Sequence, residues 1–156
     1  SCLLAVGRAA ATRFLLPTRN LSAYFNVLLV MRDSKSSAPT TGFTHYYCAP
    51  ADRVVTDGEV LNWSNSQFLF RDAPGHSVGS ICILLDNREL FSGDSLLRDV
   101  PVVTRLPSGS AKEYECITRP LLLGLDGDLF VRPGHGEPFH LCDSVYLHST
   151  EKEELL

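Results

Sequence analysis

The sequence lacks three features that would each assign it to a familiar class of protein. No run of about 18 uncharged apolar residues occurs, so we predict no membrane-spanning helix. Lys and Arg total 14 against 18 Asp and Glu, and a net charge of −4 gives no general basic surface for nucleic acid. The five cysteines form no Cys-x-x-Cys pair, which argues against a zinc knuckle or disulfide scaffold and favours a reducing compartment: Cys2, Cys48, Cys82, Cys116 and Cys142.

The 156 residues, 44% of them hydrophobic, are enough for one globular domain with its own core. Residues 1–32 contain four arginines and no acidic residue, and they are rich in Ala, Ser and Leu. This composition is typical of an organellar transit segment, although a basic first strand has it too. We therefore predict a basic segment at 1–22, one domain at 23–148 and an acidic end at 149–156. A mitochondrial location is one expectation and a cytoplasmic location is the other.

The order of predicted elements indicates an α/β fold. The predicted elements are a helix at 3–16, strands at 23–32, 43–48, 67–73, 80–85, 89–92 and 129–131, and a helix at 111–119. Ser110 and Glu113 match a capping box at the start of the second helix, and Pro120 is expected to end that helix. The continuous apolar run 80–85 favours a strand covered on both faces.

Three glycine-flanked motifs follow predicted strands, and each contains one side chain that binds metals. They are Pro74-Gly75-His76-Ser77, Ser92-Gly93-Asp94-Ser95 and Pro133-Gly134-His135-Gly136. Two imidazoles and a carboxylate from three loops are suitable ligands for a hydrolytic metal site. Taken singly, each motif is as well explained by a loop histidine or a tight turn.

Taken together, these motifs resemble the metallo-β-lactamase superfamily, nearest to its glyoxalase II-like and persulfide dioxygenase-like branches. Asp57-Gly58-Glu59 is similar to the family's Asp-Gly-Asp/Glu turn, and residues 74–80 are similar to its Pro-Gly-His-Thr/Ser-Pro-Gly-Ser motif, with Val78 replacing proline. Residues 90–96 and 133–136 resemble its Gly-Asp motif and its final ligand loop. The resemblance implies an αββα sandwich with zinc or iron, in which His76 ligates one metal, Asp94 bridges and His135 ligates the second.

The family's Thr-His-x-His-x-Asp-His motif has no counterpart in this sequence. Its nearest equivalent is the string 44–50, which keeps the first histidine as His45 but has Tyr47, Ala49 and Pro50 at the other ligand positions. We therefore expect the sandwich to be trimmed or incomplete in its N-terminal half. A trimmed fold would expose apolar surface and require a protein partner.

Three functions are compatible with these residues. The first, which we favour, is a degenerate protein with an incomplete metal site that serves as a structural or binding subunit of a larger, mitochondrial assembly. The second is a metal-dependent hydrolase of thioesters or esters, acting on a small thioester or thiol substrate. The third is a mono-metal, persulfide dioxygenase-like enzyme using His45, His76 and Asp94.

The remaining histidines and aromatic residues have simpler interpretations. His140 and His148 follow the last motif, and we interpret them as surface or loop histidines. Trp63, Phe68 and Phe70 are predicted to lie in the core rather than to form a substrate platform.

Overall fold

The computed structural model describes residues 4–13, 15–16 and 47–149, and the chain divides into two compact units, Ser1–Val54 and Val55–Leu156. In the first unit, strand β1 (Ala5–Gly7) leads directly into helix α1 (Arg8–Ala11). The helix predicted at 3–16 is therefore wrong at its start, because the Leu4 carbonyl accepts hydrogen bonds from the amides of Asp52 and Arg53. The strand predicted at 23–32 and the residue His45 lie outside the described residues.

Two sheets occur in the described residues. Strands β1 and β2 (Arg53–Val55) form a two-stranded sheet. A six-stranded sheet contains, in spatial order, β3 (Val60–Trp63), β4 (Ser66–Asp72), β5 (Ile81–Leu85), β6 (Glu89–Gly93), β7 (Phe130–Pro133) and β8 (Phe139–His140). All neighbours in this sheet are antiparallel except β6 and β7, which are parallel.

One face of the six-stranded sheet carries the core of the second unit. Alternating residues of β5, β6 and β7 are buried there together with leucines of the helical segments: Cys82, Leu84, Leu90, Val131, Leu122 and Leu147. The intervening residues of β5, which are Ile81, Ile83 and Leu85, are only half-buried. The expectation of two fully covered faces for this strand is therefore wrong for the described residues, because burial alternates with the side-chain period of a strand.

The turn between β5 and β6 follows from its sequence. Asp86 and Asn87 both have left-handed backbone conformations, with φ of 53° and 51°. The Arg88 amide donates to the Leu85 carbonyl at 3.0 Å, and Leu85 pairs with Glu89, so three residues, 86–88, connect the two strands. Asp and Asn tolerate positive φ better than other side chains, so this turn was predictable.

The helical connection between β6 and β7 is longer than predicted. Helix α2 (Ala111–Glu113) continues through a π-helical turn (Tyr114–Thr118) into helix α3 (Arg119–Leu123). Pro120 does not end the helix: it lies directly after the π-helical turn, and the helix continues to Leu123. After β8, a 3₁₀ turn (Leu141–Asp143) precedes helix α4 (Val145–His148).

The aromatic residues of β3 and β4 differ in burial. Phe70 is buried, as predicted, whereas Trp63 is 72% exposed and contacts Phe68 at a ring-centroid distance of 6.5 Å. The prediction that Trp63 lies in the core is wrong, because Trp63 is the last residue of a four-residue strand at the edge of the sheet.

Two further observations concern membranes and thiols. Within the described ranges, no helix has both the length and the apolar character needed to cross a membrane. The four described cysteines are free, and burial raises the pKa of the Cys82 thiol to about 12.

The Asp57 carboxylate closes the turn before β3, and it makes stability depend on pH. Asp57 Oδ1 accepts from the Asp72 amide at 2.9 Å and from Arg71 Nε at 3.0 Å. Partial burial raises the pKa of Asp57, but these donors and the Arg71 charge together lower it below its ordinary value of 3.8. Because the pKa of Asp57 is lower in the folded state than in the unfolded state, the ionised carboxylate stabilises the fold at pH values above the unfolded-state pKa. This stabilisation is lost as the pH falls through the folded-state pKa.

We predict that Asp57→Asn lowers the free energy of unfolding at pH 7 by up to about 1 kcal/mol, because the pair is half-exposed and screened. The difference from wild type should shrink as the pH is lowered from roughly 5 to 2. Urea unfolding across this range measures it. Asp128→Asn, at an exposed position, serves as the control and should show no such trend. A difference that grows toward low pH would contradict the assignment.

Candidate metal centre

Three strands that run in the same direction bring the three motifs to one edge of the sheet. Strands β6 and β7 are parallel, and β4 also runs with β6, because each of them is antiparallel to β5. The carboxyl ends of the three strands therefore lie at the same edge, where His76, Asp94 and His135 follow them. The Gly134 amide donates to the Gly93 carbonyl at 2.8 Å and joins two of the motifs directly.

Asp94 lies between the two histidines, and each of its oxygens faces a different imidazole. His76 Nε2 is 3.5 Å from Oδ2, and His135 Nε2 is 3.6 Å from Oδ1. Both separations exceed those of ordinary N–H···O hydrogen bonds, which are about 2.7–3.2 Å. Oδ1 is buried and has no hydrogen-bond partner among the described residues. A buried carboxylate oxygen is costly unless a cation or a donor faces it.

These distances test whether the residues fit a metal ion. Two ligands at about 2.0–2.2 Å from one tetrahedral zinc lie roughly 3.4 Å apart, close to both observed separations. Within the described ranges, however, no group of three or more His, Cys, Asp and Glu side chains is close enough to hold an ion. The residues therefore fit two ligands for each ion, one imidazole nitrogen and one carboxylate oxygen. By themselves, the described residues do not complete a metal site.

A backbone carbonyl fixes the orientation of the His76 ring. Nδ1 lies 2.9 Å from the Val103 carbonyl oxygen, which can only accept, so Nδ1 carries a proton. In the neutral ring, this bond leaves the lone pair of Nε2 directed toward Asp94. Carbonyl bonds of this kind set the tautomer of metal-ligating histidines.

The loop that carries His76 is held in place by hydrogen bonds that its backbone carbonyls accept from other segments. The three carbonyls before His76 each accept from a different part of the chain: Ser95 Oγ donates to Ala73 at 3.1 Å, Thr118 Oγ1 donates to Pro74, and the Ser110 amide donates to Gly75 at 2.8 Å. Ser95 and Thr118 are fully buried. These bonds leave the loop little freedom to shift, so the position of His76 is set by segments far away in sequence.

Glycine is required at two positions, because neighbouring atoms lie too close to the backbone there to leave space for a side chain. At Gly75, φ is +140°, and a Cβ would lie 2.6 Å from the Tyr114 Cβ. At Gly134, a Cβ would lie within the space of Asp94 Oδ1, at 2.4 Å. Glycine therefore lets the π-helical turn pack against the first motif and lets the last motif approach the carboxylate.

The sequence singled out the three side chains that lie together here, but not the residues that hold them in place. The Ser110 hydroxyl accepts from the Glu113 amide at 3.2 Å, as a capping box requires, but the Ser110 amide donates to Gly75. Nothing in the sequence around Thr118 or Val103 indicates that these residues hold the His76 loop. Ser95 lies in the Gly-Asp motif, and this position was the one indication that it acts at the site.

The other two described histidines, His140 and His148, are exposed, and the ring of each lies close to a backbone carbonyl. His140 Nδ1 lies 3.1 Å from the Asp128 carbonyl, and His148 Nε2 lies 3.3 Å from the Leu141 carbonyl.

Comparison with known protein sequences finds similarity over part of the chain. No protein-family model matches the sequence. The chain is 33% identical over 102 residues to acyl-coenzyme A thioesterase MBLAC2 of Gallus gallus, which covers 60% of this chain and 36% of that protein. The chain thus spans about a third of the length of this relative.

Solved structures establish the fold. The BLEG-1 B3 metallo-β-lactamase matches with a TM-score of 0.67 and 21% identity, over 93% of this chain and 65% of its own. TTHA1623, solved in a di-iron-bound form, matches with a TM-score of 0.53 and 21% identity, over 90% of this chain and 60% of its own. The chain therefore has the metallo-β-lactamase fold, which is the fold that the sequence resemblance implies.

We predict that Gly134→Ala destabilises the protein by about 1–3 kcal/mol, because the new methyl group overlaps Asp94 Oδ1 and forces the two motifs apart. Thermal unfolding measures the loss. Gly124→Ala is the matched control, since its Cβ makes ordinary contacts at 3.4 and 3.5 Å, and it should shift stability by less than about 0.5 kcal/mol. Equal effects of the two variants would contradict the overlap.

We also predict that Thr118→Val, which has nearly the same shape as the wild type, lowers the free energy of unfolding by about 1–3 kcal/mol. The cause is the partly buried Pro74 carbonyl, which loses its donor. Chemical denaturation measures this loss. Thr118→Ser keeps the hydroxyl and should recover most of the hydrogen-bond contribution. If serine were as destabilising as valine, the lost packing of the methyl group would be the cause instead.

Proposed function

We propose that the chain contributes to the active site of a metal-dependent thioester hydrolase. The observation that carries the proposal is the environment of the Asp94 carboxylate. An imidazole faces each of its oxygens, and one of these oxygens, Oδ1, is buried and has no donor among the described residues. The similarity to a protein described as an acyl-coenzyme A thioesterase supports thioesters as the substrate class.

His76, Asp94 and His135 would hold zinc or iron. Iron is supported by the di-iron-bound form of a solved structure with the same fold. A metal ion bound there would activate water and polarise the substrate carbonyl. The ligands that complete the coordination would come from outside the described residues.

The chain's own residues prepare this chemistry in three ways. The Val103 carbonyl keeps the proton of His76 on Nδ1, so that Nε2 is available as a ligand. The Asp94 carboxylate supplies negative charge at the centre of the site. His135 leaves the site open, since its side chain is 80% exposed, and a thioester can approach from that side.

A second candidate is a structural or binding subunit of a larger assembly. It is favoured by the absence, in the part of the chain that the structure describes, of any three-ligand group. A protein partner would then cover exposed apolar surface. A mitochondrial location belongs to this proposal and is supported by the acid-free, arginine-bearing segment 1–32. A mono-metal site of the persulfide dioxygenase type would require His45 to join His76 and Asp94.

Metal content distinguishes the candidates. We predict that the purified chain retains zinc or iron, and that His76→Ala and Asp94→Asn each weaken metal affinity by at least about tenfold, because each removes a ligand. Elemental analysis and competition with a chelator measure both effects. His140→Ala is the control and should retain the metal, since its ring bonds a carbonyl elsewhere.

The activity to assay is the hydrolysis of acyl thioesters, which is measured through the free thiol that the reaction releases. A metal-free protein whose unfolding is unaffected by chelator would contradict the hydrolase proposal and favour the subunit. A protein that binds metal but shows sulfur-oxygenating activity on persulfides, with no thioester hydrolysis, would favour the mono-metal alternative.

A further inference from the structure

Strand β3 forms an edge of the six-stranded sheet that nothing in its own sequence protects. Within the described residues, β3 pairs only with β4, and β8 forms the opposite edge. Edge strands are usually protected by charge, by proline or by being very short. The β8 edge has only two residues and leads directly into a 3₁₀ turn. The four residues of β3, Val-Leu-Asn-Trp, carry no charge and include no proline, so this edge is open to pairing with a further strand.

The hydrogen bonds between β3 and β4 determine which backbone groups of β3 point outward. The Phe70 amide donates to the Glu59 carbonyl at 2.9 Å, and these two residues continue the register of the β3–β4 pair. Hydrogen-bonded pairs alternate along antiparallel strands, so Leu61 also directs its N–H and C=O groups toward β4. The corresponding groups of Val60 and Asn62, on either side of Leu61, therefore point away from the sheet.

The apolar side chains of one sheet face extend to this edge. Leu61 lies opposite Phe68, and Trp63 lies opposite Ser66, so these side chains share a face. The rings of Trp63 and Phe68 are in contact at a centroid distance of 6.5 Å. Because Trp63 is 72% exposed, the apolar strip formed by Leu61, Trp63 and Phe68 ends at the edge without being covered by any described residue.

A second copy of β3 is complementary to this edge. In an antiparallel pairing with the two-fold axis between the two Leu61 residues, Val60 of each copy lies opposite Asn62 of the other. These are the residues whose backbone groups point outward, and each such pair exchanges two hydrogen bonds. Leu61 then lies opposite Leu61 of the second copy, and Trp63 lies diagonal to that leucine. The apolar strip is therefore continuous across the junction.

Charge and turn geometry favour this register over its neighbour. Glu59, which precedes β3, lies opposite Trp63 of the second copy rather than opposite another acidic side chain, so no like charges oppose each other. An axis at Asn62 would instead place Val60 opposite Ser64. Ser64 has a φ of 55° and belongs to the turn, so it cannot extend the ladder.

We propose that two copies of this chain associate through β3 and form one continuous antiparallel sheet across the dimer. The inference is independent of the proposed function, because it uses none of the side chains of the candidate metal centre. Four residues from each strand make a small interface, so the dimer is weak and its population depends on protein concentration.

Sedimentation equilibrium of the 156-residue chain, from about 1 to 500 μM, measures the association. We expect Leu61→Lys and Leu61→Glu each to raise the dimer dissociation constant at least about tenfold, because two like charges then oppose each other at the axis. An equimolar mixture of these variants should associate more tightly than either variant alone, because opposite charges then face each other. This recovery is specific for the register, since no other antiparallel alignment of β3 with itself places residue 61 opposite residue 61.

Val145→Lys is the matched control, because Val145 is an exposed apolar residue in helix α4 rather than in the sheet, and this variant should dimerise like the wild type. If the charged variants of Leu61 fail to fold in thermal unfolding, Asn62→Pro replaces them. It removes an N–H that points away from β4, which edge strands tolerate, and it should abolish the association.

Three results would overturn the inference. The first is a chain that stays monomeric at all concentrations, which would leave β3 available to a strand of a different protein. The second is a dimer that Leu61→Lys, or Asn62→Pro in its place, weakens no more than Val145→Lys does. The third is a mixture of the two charged variants that associates no better than its components.

Discussion

The architecture of the site depends on the electrostatics of one carboxylate. Asp94 has a buried oxygen that no donor in the described residues reaches, and an imidazole faces each of its oxygens at 3.5 or 3.6 Å. Neighbouring features maintain this arrangement. The parallel pairing of β6 with β7 brings His135 alongside, and the glycine at 134 leaves the space that any side chain would fill. This carboxylate oxygen without a donor is the observation on which the proposed metal site rests.

The second constraint is the rigidity of the His76 loop. Three successive carbonyls before His76 are bound by three separate segments, and a fourth carbonyl, that of Val103, binds its ring. Such restraint positions a ligand without using another charged group. It also explains the π-helical turn at Tyr114–Thr118, since this turn brings the Thr118 hydroxyl to Pro74 while its first residue packs against Gly75. Wider helical turns of this kind occur often at functional sites.

Local chemistry in the sequence was enough to predict the strands around the site and to single out the three side chains that the fold brings together, His76, Asp94 and His135. The Asp-Asn hairpin, the glycines at the motifs and the apolar strands each carry a local signal that tertiary packing did not override. Long-range contacts explain the failures. Pro120 was expected to end a helix, but it lies directly after the π-helical turn and the helix continues. The Ser110 amide donates to the Gly75 carbonyl, a partner outside its own helix. Trp63 is exposed at the edge of the sheet, and no sequence pattern predicts this position. Thr118 and Val103 act through partners 44 and 27 residues away.

The single parallel pairing in the six-stranded sheet has a consequence for the order of folding. The β5–β6 hairpin has a connection of three residues, whereas the bond between Gly93 and Gly134 closes a loop of about 40 residues and therefore has a larger entropic cost. Contacts of this range form late, after the helices of the crossover have packed on the sheet. His135 consequently reaches Asp94 only as the last strands join. The β4–β5–β6 meander is local in sequence, so His76 and Asp94 are expected to come together first, and the emerging chain contains one half of the site before the other half forms.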